Sequence, residues 1–234
     1  NKAGGSRAFG AWAQKNVKTR VGAQLATFAL GVLIFVDDYF NCLTVGSVMR
    51  PVADSKNISR AKLAYLIDAT AAPVCMIAPI SSWAAAVAGV VVSVNGLSLF
   101  IKAIPYNFYS LLTIVMILVI TLLKFDYGPM KKHEDNAAKG DLFTFGGEVV
   151  TGDDAPSGSS KGKVVDLLFP ICTLIFFSVL ALMYVGGFFA PGEAQGSFVT
   201  AFGNTDATVG LPLGGIVALV FTVLWMVCRR LISF

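Results

Sequence analysis

Residues 34–41 read Ile34-Phe35-Val36-Asp37-Asp38-Tyr39-Phe40-Asn41, two adjacent carboxylates inside a stretch, Val21 to Met49, that otherwise carries no charge. As one helix those 29 residues would run about 43 Å at 1.5 Å per residue, more than a hydrocarbon core of about 30 Å requires. The stretch is basic at both ends, with Lys15, Lys18 and Arg20 before it and Arg50, Lys56, Arg60 and Lys62 after it. Lys and Arg gather at the cytoplasmic ends of membrane segments. Two basic flanks on one side require the chain to enter and return, as a re-entrant helical hairpin with Asp37 to Asn41 near its tip. A single tilted span is the alternative.

The rest of the composition agrees with a membrane setting. The 234 residues are 56% hydrophobic and 14% charged, against about 25% charged in soluble domains. Of the 32 charges, 14 lie in residues 124–166, five in 1–20 and five in 50–62, so long uncharged runs separate them. This excludes an ordinary soluble globule and a disordered chain, and leaves an all-α integral membrane protein whose partner is the lipid bilayer. A net charge of +4 does not indicate nucleic acid, because the basic residues flank apolar runs. Cys42, Cys75, Cys172 and Cys228 lie scattered in apolar runs without CxxC spacing, and His133 has no second His or Cys nearby, so neither a disulfide frame nor a zinc site is expected. No phosphate loop, GxSxG, HExxH or GxGD-like motif occurs, so no cofactor and no enzymatic activity are expected. The chain opens on Asn1 and stops at Phe234, just beyond Arg229-Arg230, which reads as an internal fragment of a longer transporter.

Residues 63–101, charged only at Asp68, hold Pro73 and Pro79 in an Ala, Ser and Thr-rich segment. Proline removes a backbone donor and clashes one turn back, so the helix should break here. Unwound backbone at membrane depth survives only where protein or a wet cavity surrounds it, which makes the break a candidate site. Residues 103–123, 167–192 and 207–228 are uncharged runs long enough to span. In this topology 124–166 is a cytoplasmic loop, with Gly152 to Lys161 a flexible linker by composition, and only Lys102, Glu193 and Asp206 lie outside.

Once flanking charges are set aside, Asp37, Asp38, Asp68 and Asp206 remain in or beside the apolar runs, with no buried Lys or Arg expected to neutralise them. An all-acidic set calls for protons or a metal cation. Hard cations take oxygen ligands, and Asn41, Thr44, Thr70, Ser81 and Ser82 supply oxygens near the acids and the proline break. Successive helical side chains point about 100° apart, so Asp37 and Asp38 should divide the work between Na+ ligation and a structural or proton-carrying role. The bland readings are helix capping for the pair, an interfacial position for Asp68 and an outer-surface cap for Asp206.

The same residues carry a resemblance. Ile34 to Asn41, Arg50-Pro51, Ile58 to Tyr65, Asp68 to Val74 and Pro79 to Trp83 look like the core of the NhaC-type sodium/proton antiporter family, densely from Gly4 to Trp83 and by hydropathy beyond. The resemblance implies an inverted-repeat secondary transporter of the ion-transporter superfamily. Residues 1–123 would then end the first repeat (an amphipathic segment, hairpin 21–49, Pro-broken helix 63–101, span 103–123), and 167–234 would begin the second. Implied with it are exchange of Na+ for H+ in a multi-pass plasma-membrane protein, compatible with a homodimer. The alternative within that family is a sodium- or proton-coupled organic-anion (malate/lactate) or amino-acid exchanger. An ion site would use Asp37, Asp38, Asn41, Asp68, Thr70, Ser81 and Ser82, with a contribution from Asp206.

Overall fold

A computed structural model describes residues 4–90, 96–144 and 162–231, and among these every regular element is helical. Helix α1 (Gly5–Asn16) is followed by α2 (Arg20–Leu33), α3 (Asp38–Ser55), α4 (Arg60–Cys75), α5 (Ser82–Val90), α6 (Gly96–Ala103) and α7 (Phe108–Leu122). Then come α8 (Gly128–Ala138), α9 (Val165–Val185), α10 (Phe198–Gly203) and α11 (Ala207–Cys228).

The helix starts follow local chemistry. Side-chain oxygens of Thr19, Asp37, Ser59, Asn107 and Ser197 accept backbone N–H groups of Gly22, Phe40, Lys62, Ser110 and Thr200. Each satisfies one donor that the first helical turn leaves open. Helix α4 is the hub, packed on α2, α3, α7 and α8. Val45, Val48, Met49 and Val52 of α3 form the main core with Ala23 and Leu30 of α2, Leu63 and Ile67 of α4 and Ala13 of α1.

The stretch 21–49 is not one continuous helix. It divides at Ile34 to Asp37, and α2 and α3 pack against each other. The expected break in 63–101 falls later than Pro73. That proline sits in the last turn of α4, which runs on only to Cys75, leaving Met76 to Ser81 unwound around Pro79. Residues 91–95, also within the expected broken helix, lie outside the described residues.

Three further boundaries differ from expectation. The run 103–123 is not one straight helix: Gly96–Tyr106 and Phe108–Leu122 meet at 49° across Asn107, after a 3-10 turn that contains Pro105. The run 167–192 is helical only to Val185, because the chain turns at Gly186 and Gly187, the latter with φ 86°. Finally, 124–166 is not loop throughout. It contains α8, and the expected linker, 152–161, lies outside the described residues.

Val165–Val185 and Val209–Cys228 are long and apolar enough to cross a membrane, and the bent pair makes a third span if taken as one. They form a close hairpin. A Cβ at Gly214 would stand 2.7 Å from Phe177 O and Ser178 Cα, so glycine there lets α9 and α11 touch backbone to backbone. Large apolar side chains along α7 and α11, among them Leu112, Val115, Leu219 and Leu224, are exposed, as a lipid-facing surface requires.

Candidate functional site

The two helix breaks meet. Ser82 N–H donates to Val36 O at 2.8 Å, and the Cys75 thiol donates to Phe35 O at 3.1 Å. The C-terminal ends of α2 and α4 therefore lie against the N-terminal ends of α3 and α5. Carbonyl groups crowd the first pair of ends, and the partial positive charge of the second pair favours anions. Discontinuous helices that meet in this way are how transporters build ion sites from backbone.

Asp37 occupies the cap of α3: its Oδ1 accepts Phe40 N–H at 2.8 Å. Asp38, in the first turn of α3, is half-buried. Asn41, one turn on, is completely buried, and its Nδ2 donates to Gly31 O (2.7 Å) and Ile34 O (3.0 Å). Because both neighbours are carbonyls the amide nitrogen must face them. Oδ1 is left facing away, without a hydrogen-bond partner among the described residues.

Thr70 on α4 is also buried and donates to Leu66 O at 2.6 Å. A Cβ at Gly31 would come 2.7 Å from Thr70 Cγ2 and 3.6 Å from Asn41 Oδ1. Asn41, Thr70 and the end of α2 thus converge, and glycine at 31 permits it. Ser81 caps the other break from a buried position, donating to Cys75 O (2.6 Å) and Ala78 O (3.0 Å) while accepting Ala84 N–H. Ser82 joins the breaks through its backbone. Thr44, a turn beyond Asn41, is half-buried, and its carbonyl accepts the Ser47 hydroxyl.

The remaining acids are placed differently. Asp68 is exposed on α4, yet it lies within Coulombic reach of Cys42 on α3, as do Asp37 and Asp38. Asp206 is exposed at the start of α11, a helix that packs chiefly on α9. No three His, Cys, Asp or Glu side chains converge as a metal centre among the described residues, so a cation here would rely on amide, hydroxyl and backbone oxygens as well.

One premise from the sequence needs correcting. Lys62 is almost fully buried and pairs with Asp126. Its charge is therefore engaged by Asp126 and not by the α3 acids. Two buried acids were also missed because they lie in the charged stretch 124–166. Glu134 of α8 pairs with Arg20 and accepts Ser59 N–H at 2.8 Å. Asp166, at the start of α9, binds Arg229 (3.2 Å), the Trp225 indole (3.2 Å) and Lys163 N–H (2.7 Å). An acid opening one apolar run and an arginine closing another was the signal for that second pair.

Also at the basic end, Arg60 pairs with Asp54 at 2.8 Å. Burial pushes the Asp54 carboxyl above its usual range, against the opposing pull of Arg60 and Arg50.

The profile of the Na+/H+ antiporter family matches residues 84–230. An uncharacterized protein of Haemophilus influenzae (strain ATCC 51907 / DSM 11121 / KW20 / Rd) is 34% identical over 241 residues, which cover 98% of this chain and 44% of that protein. The chain therefore spans under half the length of this curated relative. No solved structure matches it.

Proposed function

Since the chain belongs to the Na+/H+ antiporter family, we propose that it serves in secondary exchange of Na+ against H+ across the plasma membrane, as part of a multi-pass, inverted-repeat transporter working by alternating access. The family match over residues 84–230 is the observation that carries this reading. The resemblance of the motifs between Ile34 and Trp83 to NhaC-type members supports that narrower reading, with α2 and α3 read as a re-entrant hairpin.

Asp38 is the proton carrier in this mechanism. Asp37 is committed to capping α3, which leaves Asp38 to hold a proton when desolvated and release it when a cation arrives. Desolvation favours the neutral acid and a nearby Na+ favours the carboxylate, and that opposition couples the two ions. Asn41 Oδ1, the Thr70 hydroxyl oxygen and carbonyls at the end of α2 are the neutral ligands. Ser81 and Ser82 hold the facing break in place. Asp68 and Asp206, both exposed, contribute from outside the junction.

Exchange of organic anions or amino acids is the rival. A substrate carboxylate would need open N–H donors at the starts of α3 and α5. Phe40 N–H is taken by Asp37, Ser82 N–H by Val36 O and Ala84 N–H by Ser81, so the junction suits a cation better.

The test is Na+-dependent dequenching of a pH-sensitive dye in everted vesicles containing the full-length protein. Asp38→Asn should abolish it, and Asp37→Asn, which can still cap a helix, should retain part. Full exchange in the Asp38→Asn protein would overturn the assignment. Counterflow of malate or basic amino acids with no Na+/H+ exchange would establish the rival.

A further inference from the structure

Apart from the α2–α5 junction, a second polar site lies where the basic ends of the helices gather. A cavity of about 280 Å³ opens between the first turn of α2, the start of α4, the end of α7 and α8, close to the lower limit of ~300 Å³ for small-molecule sites. Three cations line it, Arg20, Lys62 and Lys124, against two carboxylates, Asp126 and Glu134. Both carboxylates are already engaged, Asp126 by Lys62 and Glu134 by Arg20 and Ser59 N–H. The site thus keeps an excess positive charge, to which the N-terminal end of α2 adds.

Its walls also hold polar atoms with nothing to bind. Gln24 and Thr121 are 4% and 1% exposed, and among the described residues Gln24 Oε1, Thr121 Oγ1 and Arg20 Nε find no hydrogen-bond partner. Buried groups left this way carry an uncompensated desolvation penalty. Arg20 Nε and Thr121 Oγ1 can donate to a guest, whereas the amide oxygen Gln24 Oε1 only accepts and is met by a water or a protonated phosphate oxygen. Water could meet their hydrogen bonds but not the surplus charge. A cation is disfavoured by that charge. The donors left for a guest are Arg20 Nε beside the start of α2, the Thr121 hydroxyl near the end of α7 and the Lys124 ammonium just beyond it, which converge from separate directions as a tetrahedral oxyanion requires.

We propose that this cavity binds a phosphate group, supplied either by an anionic lipid headgroup or by free phosphate. The site is separate from the ion-exchange junction, and its failure would leave the antiporter reading untouched.

The test uses the purified, delipidated full-length protein, followed by thermal unfolding. One arm titrates inorganic phosphate against sodium chloride of matched ionic strength and pH. The other compares nanodiscs of phosphatidylcholine alone with nanodiscs containing phosphatidylglycerol. Saturable stabilisation in the first arm identifies free phosphate, and stabilisation confined to the second identifies the headgroup. Stabilisation in neither overturns the proposal.

In whichever arm responds, Lys124→Gln should weaken the response about tenfold, the loss of one charge-assisted contact. Thr121→Val should unfold no earlier than the parent without phosphate, since it removes an unsatisfied hydroxyl, and should respond more weakly. A Thr121→Val protein that unfolds earlier and keeps the full response would show that the hydroxyl serves the fold alone, and would refute the site.

Discussion

Gly31→Ala tests the junction most directly, because the structure says which atom the new methyl meets. Gly31 lies near the end of α2 with no positive φ to preserve. In a helix, Ala is favoured over Gly by about 1 kcal/mol. Against that gain, the Cβ would sit 2.7 Å from Thr70 Cγ2 and 3.3 Å from Thr70 Cβ, and overpacking of this kind costs typically about 1–3 kcal/mol. The net effect is a loss of up to about 2 kcal/mol. Thr70→Ser removes the closest atom and keeps the hydroxyl that donates to Leu66 O. In that background Gly31→Ala should change sign and stabilise by up to about 1 kcal/mol, with the Cβ contact taking back a part. The coupling between the two substitutions is then about 1–2 kcal/mol, well above the scatter of independent sites. Unfolding free energies from SDS titration of the four full-length proteins in mixed micelles supply the cycle. Additive effects, with Gly31→Ala no more favourable in the Thr70→Ser background than with Thr70 intact, would refute the close approach of α2 to α4 and the site built on it.

Three other outcomes follow from the packing. Gly214→Ala should destabilise by about 1–3 kcal/mol, since its Cβ would meet backbone atoms of Phe177 and Ser178, which cannot move aside; loss of α9–α11 crosslinking in a paired-cysteine version would report the same separation. Asp166→Ala should cost about 1–3 kcal/mol by stripping Arg229, the Trp225 indole and Lys163 N–H of one shared acceptor, with changed tryptophan fluorescence as a second readout. For Asp54, a folded pKa above the usual range means that its contribution is complete below about pH 3.9 and is lost as the pH rises through the folded value. The melting temperature of the parent relative to Asp54→Asn should therefore rise on going from pH 7 to pH 4, and a difference that stays constant or falls would contradict it.

The membrane setting was legible from the uncharged runs, because every charge at mid-bilayer carries a penalty that composition records. The interruption near Asp37 was legible too, since basic flanks at both ends of Val21 to Met49 conflict with one straight helix. The exact ends were not. Pro73 was read as a breaking point, yet α4 continues to Cys75 before it unwinds, and Gly186-Gly187 ended a run whose apolarity continued. The buried ion pairs were hidden for a different reason. Lys62, Glu134 and Asp166 occupy charged stretches, where sequence suggests solvent, and only their distant partners Asp126, Arg20 and Arg229 make burial tolerable.

By itself, then, the sequence determined an α-helical membrane chain with a cluster of acids and a second segment weakened by proline, because hydropathy and proline geometry act over a few residues. Only the tertiary structure decided that the two weakened segments touch, that Asp37 caps while Asn41 Oδ1 is left open, and that Gly31 allows both. Those facts depend on contacts between α2, α3, α4 and α5 that no local pattern encodes.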